Sequence, residues 1–567
     1  MVSQAPSLSN NVPSEKAVDR PNALFTTREW LAVAAVILVV LVITGIPYLF
    51  AYRSAPADKH FMGVMVNIPD HFQYFSWMRE AQTQILVPNQ LTPEDSTPLL
   101  FNFLWWTLGR IEVLTGIDYA GLYQITRWLA GAFVMAGTYF FCGIVFTDRL
   151  KRWTAFLVAT VGGGLGWLLV VEKTLLRLPD VNSPFALYTS EPNTFFNILA
   201  FPHFSIAAGL IAVIFSLVLL GQRSQNMRYA WLAAAVSLLL SVQHAYDMFI
   251  IYPVIGLYAL FIWLRDRKFP MYLFKFGVIV VLISMWPALQ AFYITQADPV
   301  WKAVLEQFDN AGAFTPPPWL LPILMGIPLL LALWALDIRT PWRDRDDTHL
   351  FIMAWFLAHF PLIYIPLDFQ IHMLSGWQII TAVLATIGIY TRVVPLLKGW
   401  FKNRSPQQLA RWASVGLVLL VVPVNLYLIG WRFIDLRRAD YPFYAPTENI
   451  AALDYLETQV ASNDVVLSSL DMGQYIPALT GARSFLGHWA QTLHYFEKRD
   501  LVTHFFTEST TDSDREAILR EYSVDYVLYT EREREMGTFD PAGAAYLEEV
   551  YRNDNAVVYA VTLSEEA

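Results

Sequence analysis

Cysteine is almost missing from this 567-residue chain: Cys142 stands alone inside an apolar run, so no intrachain disulfide can form. Charge is scarce as well. Asp, Glu, Lys and Arg make up 15% of the residues and apolar types 55%, whereas soluble domains carry about a quarter charged. That balance excludes an ordinary soluble protein and points to a membrane class. Two fingerprints are also lacking. No Gly-x-Gly-x-x-Gly follows a strand-like run, so a dinucleotide site has no support, and no nucleophile elbow supports Ser-His-Asp hydrolysis. Gly473 and Gly481 read as single turn glycines, and Gly162-Gly163-Gly164 as close helix packing inside a span.

What is abundant is aromatic and apolar. The 20 Trp, 27 Tyr and 38 Phe fit belts at the two bilayer interfaces. With about 20 apolar residues per span, eleven spans are expected near 30–50, 119–146, 153–171, 197–221, 229–243, 248–264, 274–295, 318–336, 349–366, 375–397 and 412–431. The run 229–264 would make a helix of ~54 Å against a hydrocarbon core of ~30 Å. It is therefore predicted to be a hairpin with His244-Ala-Tyr-Asp247 at its tip. Residues 1–28 are polar and read as a disordered cytoplasmic lead, and 30–50 as an uncleaved first span.

Alternate loops carry 16 Lys and Arg in five short segments, and the opposite set carries 7 over more residues. The positive-inside rule puts the amino terminus in the cytoplasm and the tail outside. Residues 99–116 hold Arg110 and Glu112 near their middle and Trp105-Trp106 beside them, which suits an interfacial helix rather than a span. The first outer loop, 51–118, is thus expected to contain two amphipathic helices. In 70–82, Tyr74, Phe75, Met78 and Ala81 recur on one face.

The expected domains are the lead 1–28, a membrane body 29–431 and an extracytoplasmic α/β domain 432–567. From residue 432 onward there are 24 Asp and Glu against 11 Lys and Arg, an acidic tail that argues against nucleic acid as partner. Helices are predicted at 448–460, 472–480, 490–506 and 512–522, and strands at 465–469, 526–529 and 556–561. Their alternation suggests a small, mostly parallel sheet.

On this topology Asp70, His71, Glu191, His203, His244, Asp247, Asp298, Asp368 and His372 fall at the outer edge of the membrane body. Ionisable groups at that level line a cavity or pair with each other. Asp70 is the candidate general base, its pKa expected to be raised by an apolar surround. The same residue, after Pro69 and three before Gln73, also reads as a helix cap. His244 and Asp247 could coordinate a metal or position substrate, or form a polar hairpin tip. His203 reads equally well as a helix-end histidine. His71, His203, His244 and His372 could together hold a divalent metal, although no His-x-x-x-His spacing supports it. Among the outer cations, Arg79 is the choice for a lipid phosphate. Gly487-His488-Trp489-Ala-Gln491-Thr492 sits at a strand-to-helix junction of the tail, where α/β domains often bind ligands.

Many spans, a long first outer loop with interfacial helices, an acidic residue soon after the first span and a carboxy-terminal domain outside together resemble the GT-C superfamily of integral-membrane glycosyltransferases. Protein mannosyltransferases and aminoarabinose transferases belong to it. The resemblance implies that Asp70 is the catalytic carboxylate and that the donor is a polyprenyl-phosphate sugar, with the acceptor unspecified. This chain has Asp70-His71 where the protein mannosyltransferases have two adjacent acids. The rival readings are a transporter or lipid flippase, and a non-enzymatic receptor or assembly protein. The only glycosylation sequon, Asn403-Arg-Ser405, lies on the predicted inner side, which sits comfortably with a prokaryotic plasma membrane.

Overall fold

Long apolar runs become long helices in the computed structural model, which describes residues 25–307, 314–337 and 340–563. Of the expected lead, residues 1–24 lie outside the described residues, and Thr27 already begins the first helix. Seven helical stretches among the described residues are long and apolar enough to cross a membrane: Thr27–Ser54, Tyr119–Val145, Pro202–Ser224, Ala245–Asp266, Pro318–Ala335, Gln370–Trp400 and Pro406–Arg437. Two bent pairs, Arg149–Val161 with Gly166–Leu176 (50°) and Met271–Ser284 with Trp286–Ala297 (43°), bring the number to as many as nine if each pair is one span. This is a multi-pass membrane protein.

By length and composition the described helices number fewer than the eleven spans expected. Arg228–Gln243 and Asp347–Leu362 are helices of 16 residues each, ~24 Å long and short of a full crossing. The run 229–264 does break where expected, at the 3₁₀ turn Ala245–Asp247. Its first half, however, packs chiefly on Pro202–Ser224 and Met271–Ser284, and its second half on Asp347–Leu362.

The chain divides into two compact units: Met1–Ile46 with Ile125–Leu289 and Ala313–Trp431, and Pro47–Gln124 with Gln290–Gly312 and Arg432–Ala567. In the first unit, Phe141, Phe215, Phe351 and Trp355 interlock at the centre of a buried apolar cluster. The three glycines 162–164 pack closely on neighbouring helices, as the sequence suggested, and they also interrupt their own helix. Irregular backbone among apolar helices needs internal partners, and it has them. Asn425 donates to the Val161 carbonyl (2.8 Å) and Gln378 to that of Gly162 (2.6 Å). The Gly163 and Leu165 amides donate to Val421 (2.9 Å) and Ile323 (2.7 Å). A Cβ on Gly164 would lie 2.1 Å from the Leu324 carbonyl oxygen, so only glycine allows this approach.

In the second unit, Ile68–Glu80 and Phe103–Thr115 are the two helices of the first loop. Pro69 presets the first turn, and Asp70 and Arg79 complement the helix dipole at its ends. Phe72, Phe75 and Met78 turn inward. The second helix is capped by Asn102 and closed by Gly116 at φ 68, and at 13 residues it spans ~20 Å, too short to cross. Gly109 lets it approach the Met78 carbonyl, and Trp105 stacks on Tyr74 at 4.5 Å.

Strands β1 (Lys59–Phe61) and β2 (Tyr444–Pro446) pair antiparallel. The remaining strands, β3 (Val465–Leu467), β4 (Arg483–Ser484), β5 (Val524–Tyr529), β6 (Leu547–Arg552) and β7 (Val557–Val561), form one sheet in the order β4-β3-β5-β7-β6. The β3 pairings with β4 and β5 are parallel, whereas β5–β7 and β6–β7 are antiparallel. The sheet is thus mixed rather than mostly parallel, because a carboxy-terminal hairpin supplies its far edge. Helices Thr447–Gln459, Tyr495–Phe506 and Asp512–Glu521 accompany it.

Candidate functional site

Asp70 is not a helix cap. The cap position belongs to Asn67, which takes the left-handed conformation (φ 47) that Asn tolerates and makes no side-chain cap. Asp70 lies in the first helical turn, and the Asn67 amide reaches its Oδ2 at 2.5 Å. Its Oδ1 accepts two further bonds, from His488 Nε2 (2.9 Å) and from the Trp489 indole N–H (3.1 Å). His488 is oriented by its own loop. The amides of Ala490 (3.0 Å) and Gln491 (3.2 Å) both donate to its Nδ1. An accepting Nδ1 leaves the imidazole proton on Nε2, aimed at Asp70. The Thr492 hydroxyl in turn accepts the amides of Gly487 and His488 and donates to the Leu91 carbonyl.

The result is a carboxylate 21% exposed, held by three side-chain donors against a His488 that is only 1% exposed. Burial works against the Asp70 charge, but the bonds from His488 and Trp489 outweigh it and hold the carboxyl below the ordinary carboxylate range. That reverses the expected direction. An apolar wall alone would have raised the pKa, whereas donors converging on one oxygen favour the ionised form. Such a group stays ionised at neutral pH and presents a strong acceptor to a ligand's hydroxyl or amide proton.

His71, expected at the cavity edge as a substrate or metal contact, is bonded within its own unit. Its Nδ1 bonds the Asn67 carbonyl (2.7 Å), its Nε2 accepts from the Tyr123 hydroxyl, and the residue is 1% exposed. Arg79 is likewise engaged. It pairs with Glu457 (2.8 Å) and donates to the Leu479 carbonyl (3.1 Å), so its fork fastens the loop helix to residues 457–479 instead of awaiting a phosphate. Asp298 caps Pro299–Glu306 through the Val300 and Trp301 amides and accepts from the Thr97 amide (2.9 Å), which makes it a strut. Asp368 is exposed on its loop.

In the other unit, five of the expected residues do gather. His372 Nδ1 meets Glu191 Oε1 at 2.7 Å, and its ring stacks on Tyr246 at 4.6 Å. The Tyr246 hydroxyl bonds His244 Nδ1 (3.2 Å). The same nitrogen stands 3.4 Å from Asp247, and the His244 ring lies 5.4 Å from that of His203. Asp247 is fully buried, and neither of its oxygens has a hydrogen-bond partner among the described residues. His203, His244 and Asp247 are all at most 5% exposed. This polar cluster stands at helix ends, with Asp247 at its buried side.

The four histidines named as a possible metal site do not meet. Among the described residues no three His, Cys, Asp or Glu side chains come together as a cation requires. His71 spends both ring nitrogens on neighbours, and His372 is tied to Glu191.

The residues that sequence reasoning missed are Asn67, Tyr246 and the pairing of His488 and Trp489 with Asp70. The Gly487–Thr492 segment stood out for its composition, but nothing along the chain linked it to a helix 418 residues earlier. Nor did it reveal the helix starts: 495–506, not 490–506, is helical, and 488–494 is the loop that does the holding.

No protein-family model matches the chain, and no curated protein matches its sequence. Solved structures do. Archaeal oligosaccharyltransferase AglB from Archaeoglobus fulgidus, in complex with an inhibitory peptide and a dolichol-phosphate, aligns over 93% of this chain and 74% of its own at 13% identity, with a TM-score of 0.52. ArnT from Cupriavidus metallidurans bound to undecaprenyl phosphate aligns over 94% and 98% at 13% identity, with a TM-score of 0.50. Arabinofuranosyltransferase AftD from Mycobacteria aligns over 95% of this chain but 40% of its own length, at 13% identity and a TM-score of 0.55. The likeness is one of fold, and the fold is that of the GT-C glycosyltransferases.

Proposed function

We propose, with the GT-C fold as premise, that this membrane protein moves a sugar from a polyprenyl-phosphate-linked donor to an acceptor at the outer membrane face. The AglB and ArnT structures contain dolichol-phosphate and undecaprenyl phosphate, which supports a lipid phosphate as the sugar's carrier here. The observation that carries the reading is Asp70: a partly exposed carboxylate soon after the first span, anchored by Asn67, His488 and Trp489. The acceptor's nucleophilic group donates its proton toward Asp70. As its bond to the anomeric carbon forms, that group becomes more acidic and the proton passes to the carboxylate, while the lipid phosphate leaves with the electron pair of the broken C–O bond. A carboxyl held below its ordinary range takes the proton late, so its main contribution is to orient and polarise the nucleophile. His203, His244, Asp247, Glu191 and His372 hold polar ligand groups in this scheme, and no step is routed through a metal. The Lys/Arg bias of the loops supports residues 432–567 outside the cytoplasm, and the inner placement of the sequon Asn403-Arg-Ser405 with a lone cysteine fits a prokaryotic plasma membrane.

The test is Asp70→Asn in proteoliposomes supplied with a polyprenyl-phosphate sugar. A loss of about 10²-fold or more in kcat is expected. Because the neutral amide gives up the charge-assisted part of the bonds from His488 and Trp489, the thermal unfolding midpoint falls too, and kcat is compared at a temperature where both proteins are folded. Full activity in the variant would remove Asp70 from the chemistry.

A further inference from the structure

A small cavity lies at the other end of the helix that carries His203. It has a volume of about 60 Å³ and is lined by Lys151, Arg223, Asp346, Thr348, His349 and Tyr390, among others. Along Pro202–Ser224, Arg223 stands 20 residues beyond His203, ~30 Å away or one hydrocarbon thickness. Its neighbours come from the segments whose loops are rich in Lys and Arg.

Three lining residues carry buried polar atoms without hydrogen-bond partners among the described residues: Arg223 Nη1, His349 Nδ1 and the Tyr390 hydroxyl. Each is a donor. Arg223 already uses Nη2 on the Ile144 carbonyl (3.0 Å) and the Thr348 hydroxyl (2.8 Å), which fixes the guanidinium and leaves Nη1 over. His349 faces Arg345 Nη1 at 3.3 Å through Nε2. Arginine has no acceptor, so Nε2 must accept and the imidazole proton sits on the partnerless Nδ1. Lys151 Nζ stands 4.7 Å over the Tyr390 ring. Asp346 is the one carboxylate in the lining, and its Oδ1 is spent on the His349 amide (2.7 Å). Buried donors are normally satisfied, and three orphans on one cavity mark a missing acceptor.

We propose that this cavity binds a single phosphoryl oxyanion. Two fixed cations, Lys151 and Arg223, outnumber Asp346, and the orphan donors can be met by the oxygens of one tetrahedral group. The volume admits such a group and excludes a nucleotide. The oxyanion comes either from a lipid phosphomonoester headgroup or from free phosphate. The site is independent of the proposed transfer chemistry.

Thermal unfolding of the full-length protein decides the matter in two arms. One adds inorganic phosphate to detergent-solubilised protein against chloride at equal ionic strength. The other compares nanodiscs of phosphatidylcholine, whose choline-capped phosphate is too large for the cavity, with nanodiscs containing phosphatidic acid. A midpoint shift in the first arm assigns the free anion, and a shift confined to the second assigns the headgroup. In Tyr390→Phe and Arg223→Gln the half-saturating concentration should rise about tenfold or more. Tyr390→Phe removes one oxygen only, so it serves if Arg223→Gln does not fold. No shift in either arm, or equal shifts in the wild type and Tyr390→Phe, overturns the proposal.

Discussion

Two nitrogen donors on one carboxylate oxygen decide how Asp70 responds to pH. Its folded pKa lies below the unfolded value of ~3.9. Its bonds to His488 and Trp489 therefore stabilise the fold fully above that value, and the contribution is lost as pH falls through the folded pKa. Trp489→Phe removes one donor to a charged acceptor and should cost about 1.5–3 kcal/mol at neutral pH. Unfolding measured from pH 7 downward should show a constant gap between variant and wild type above ~3.9 and a narrowing gap below it, as acid takes away the charge that Trp489 stabilises. A gap that does not narrow below that value would mean that the indole acts by packing alone. Residue identity made Asp70 visible in the sequence, because a carboxylate after the first span is unusual. The direction of its pKa was not visible, since that depends on donors contributed by residues 488 and 489.

At the scale of elements, the break at 162–164 is the point where backbone meets backbone. Gly164→Ala would push a Cβ against the Leu324 and Ile323 carbonyls at 2.1 and 2.4 Å, and backbone cannot yield as a side chain does. A loss of at least about 2 kcal/mol is expected. Gly256→Ala, whose Cβ would meet nothing within 4 Å, should leave stability unchanged or raise it by up to ~1 kcal/mol. Unfolding midpoints of the pair measure both, and equal effects would show that the glycine break has slack. Helix Ile68–Glu80 was legible because Phe75 and Met78 repeat at helical spacing and Pro69 marks its start. Strand β6 was not, because Leu547-Glu-Glu-Val-Tyr-Arg552 is an edge strand whose charges hide the alternation. The close packing at the glycine triplet was legible and the break was not, because helix packing and helix breaking use the same residue.

At the scale of the molecule, residues 432–567 belong to a unit they do not complete. Ala452, Leu456, Tyr475 and Ala478 share a buried cluster with Ile68, Phe72 and Met78, and Phe72 meets Tyr475 ring to ring at 4.5 Å. Expressed alone, 432–567 should therefore bind a hydrophobic dye and unfold over a broad range, and a sharp transition without dye binding would contradict this. Composition and charge were enough to identify a membrane body and an acidic tail. The alliance of loop 47–124 with that tail was beyond reach, because contacts between residues some 400 positions apart leave no local pattern.

The bond between Asp70 and His488 closes across 418 residues, and this sets when the site can exist. At ~5–20 residues per second, a ribosome needs roughly 20–80 s to reach His488 after adding Asp70. For that interval the first loop stands at the membrane with its carboxylate unanchored, while the intervening spans insert. The anchored carboxylate is thus among the last features of the protein to form, and a chain that stalls before residue 488 carries Asp70 without the donors that hold it.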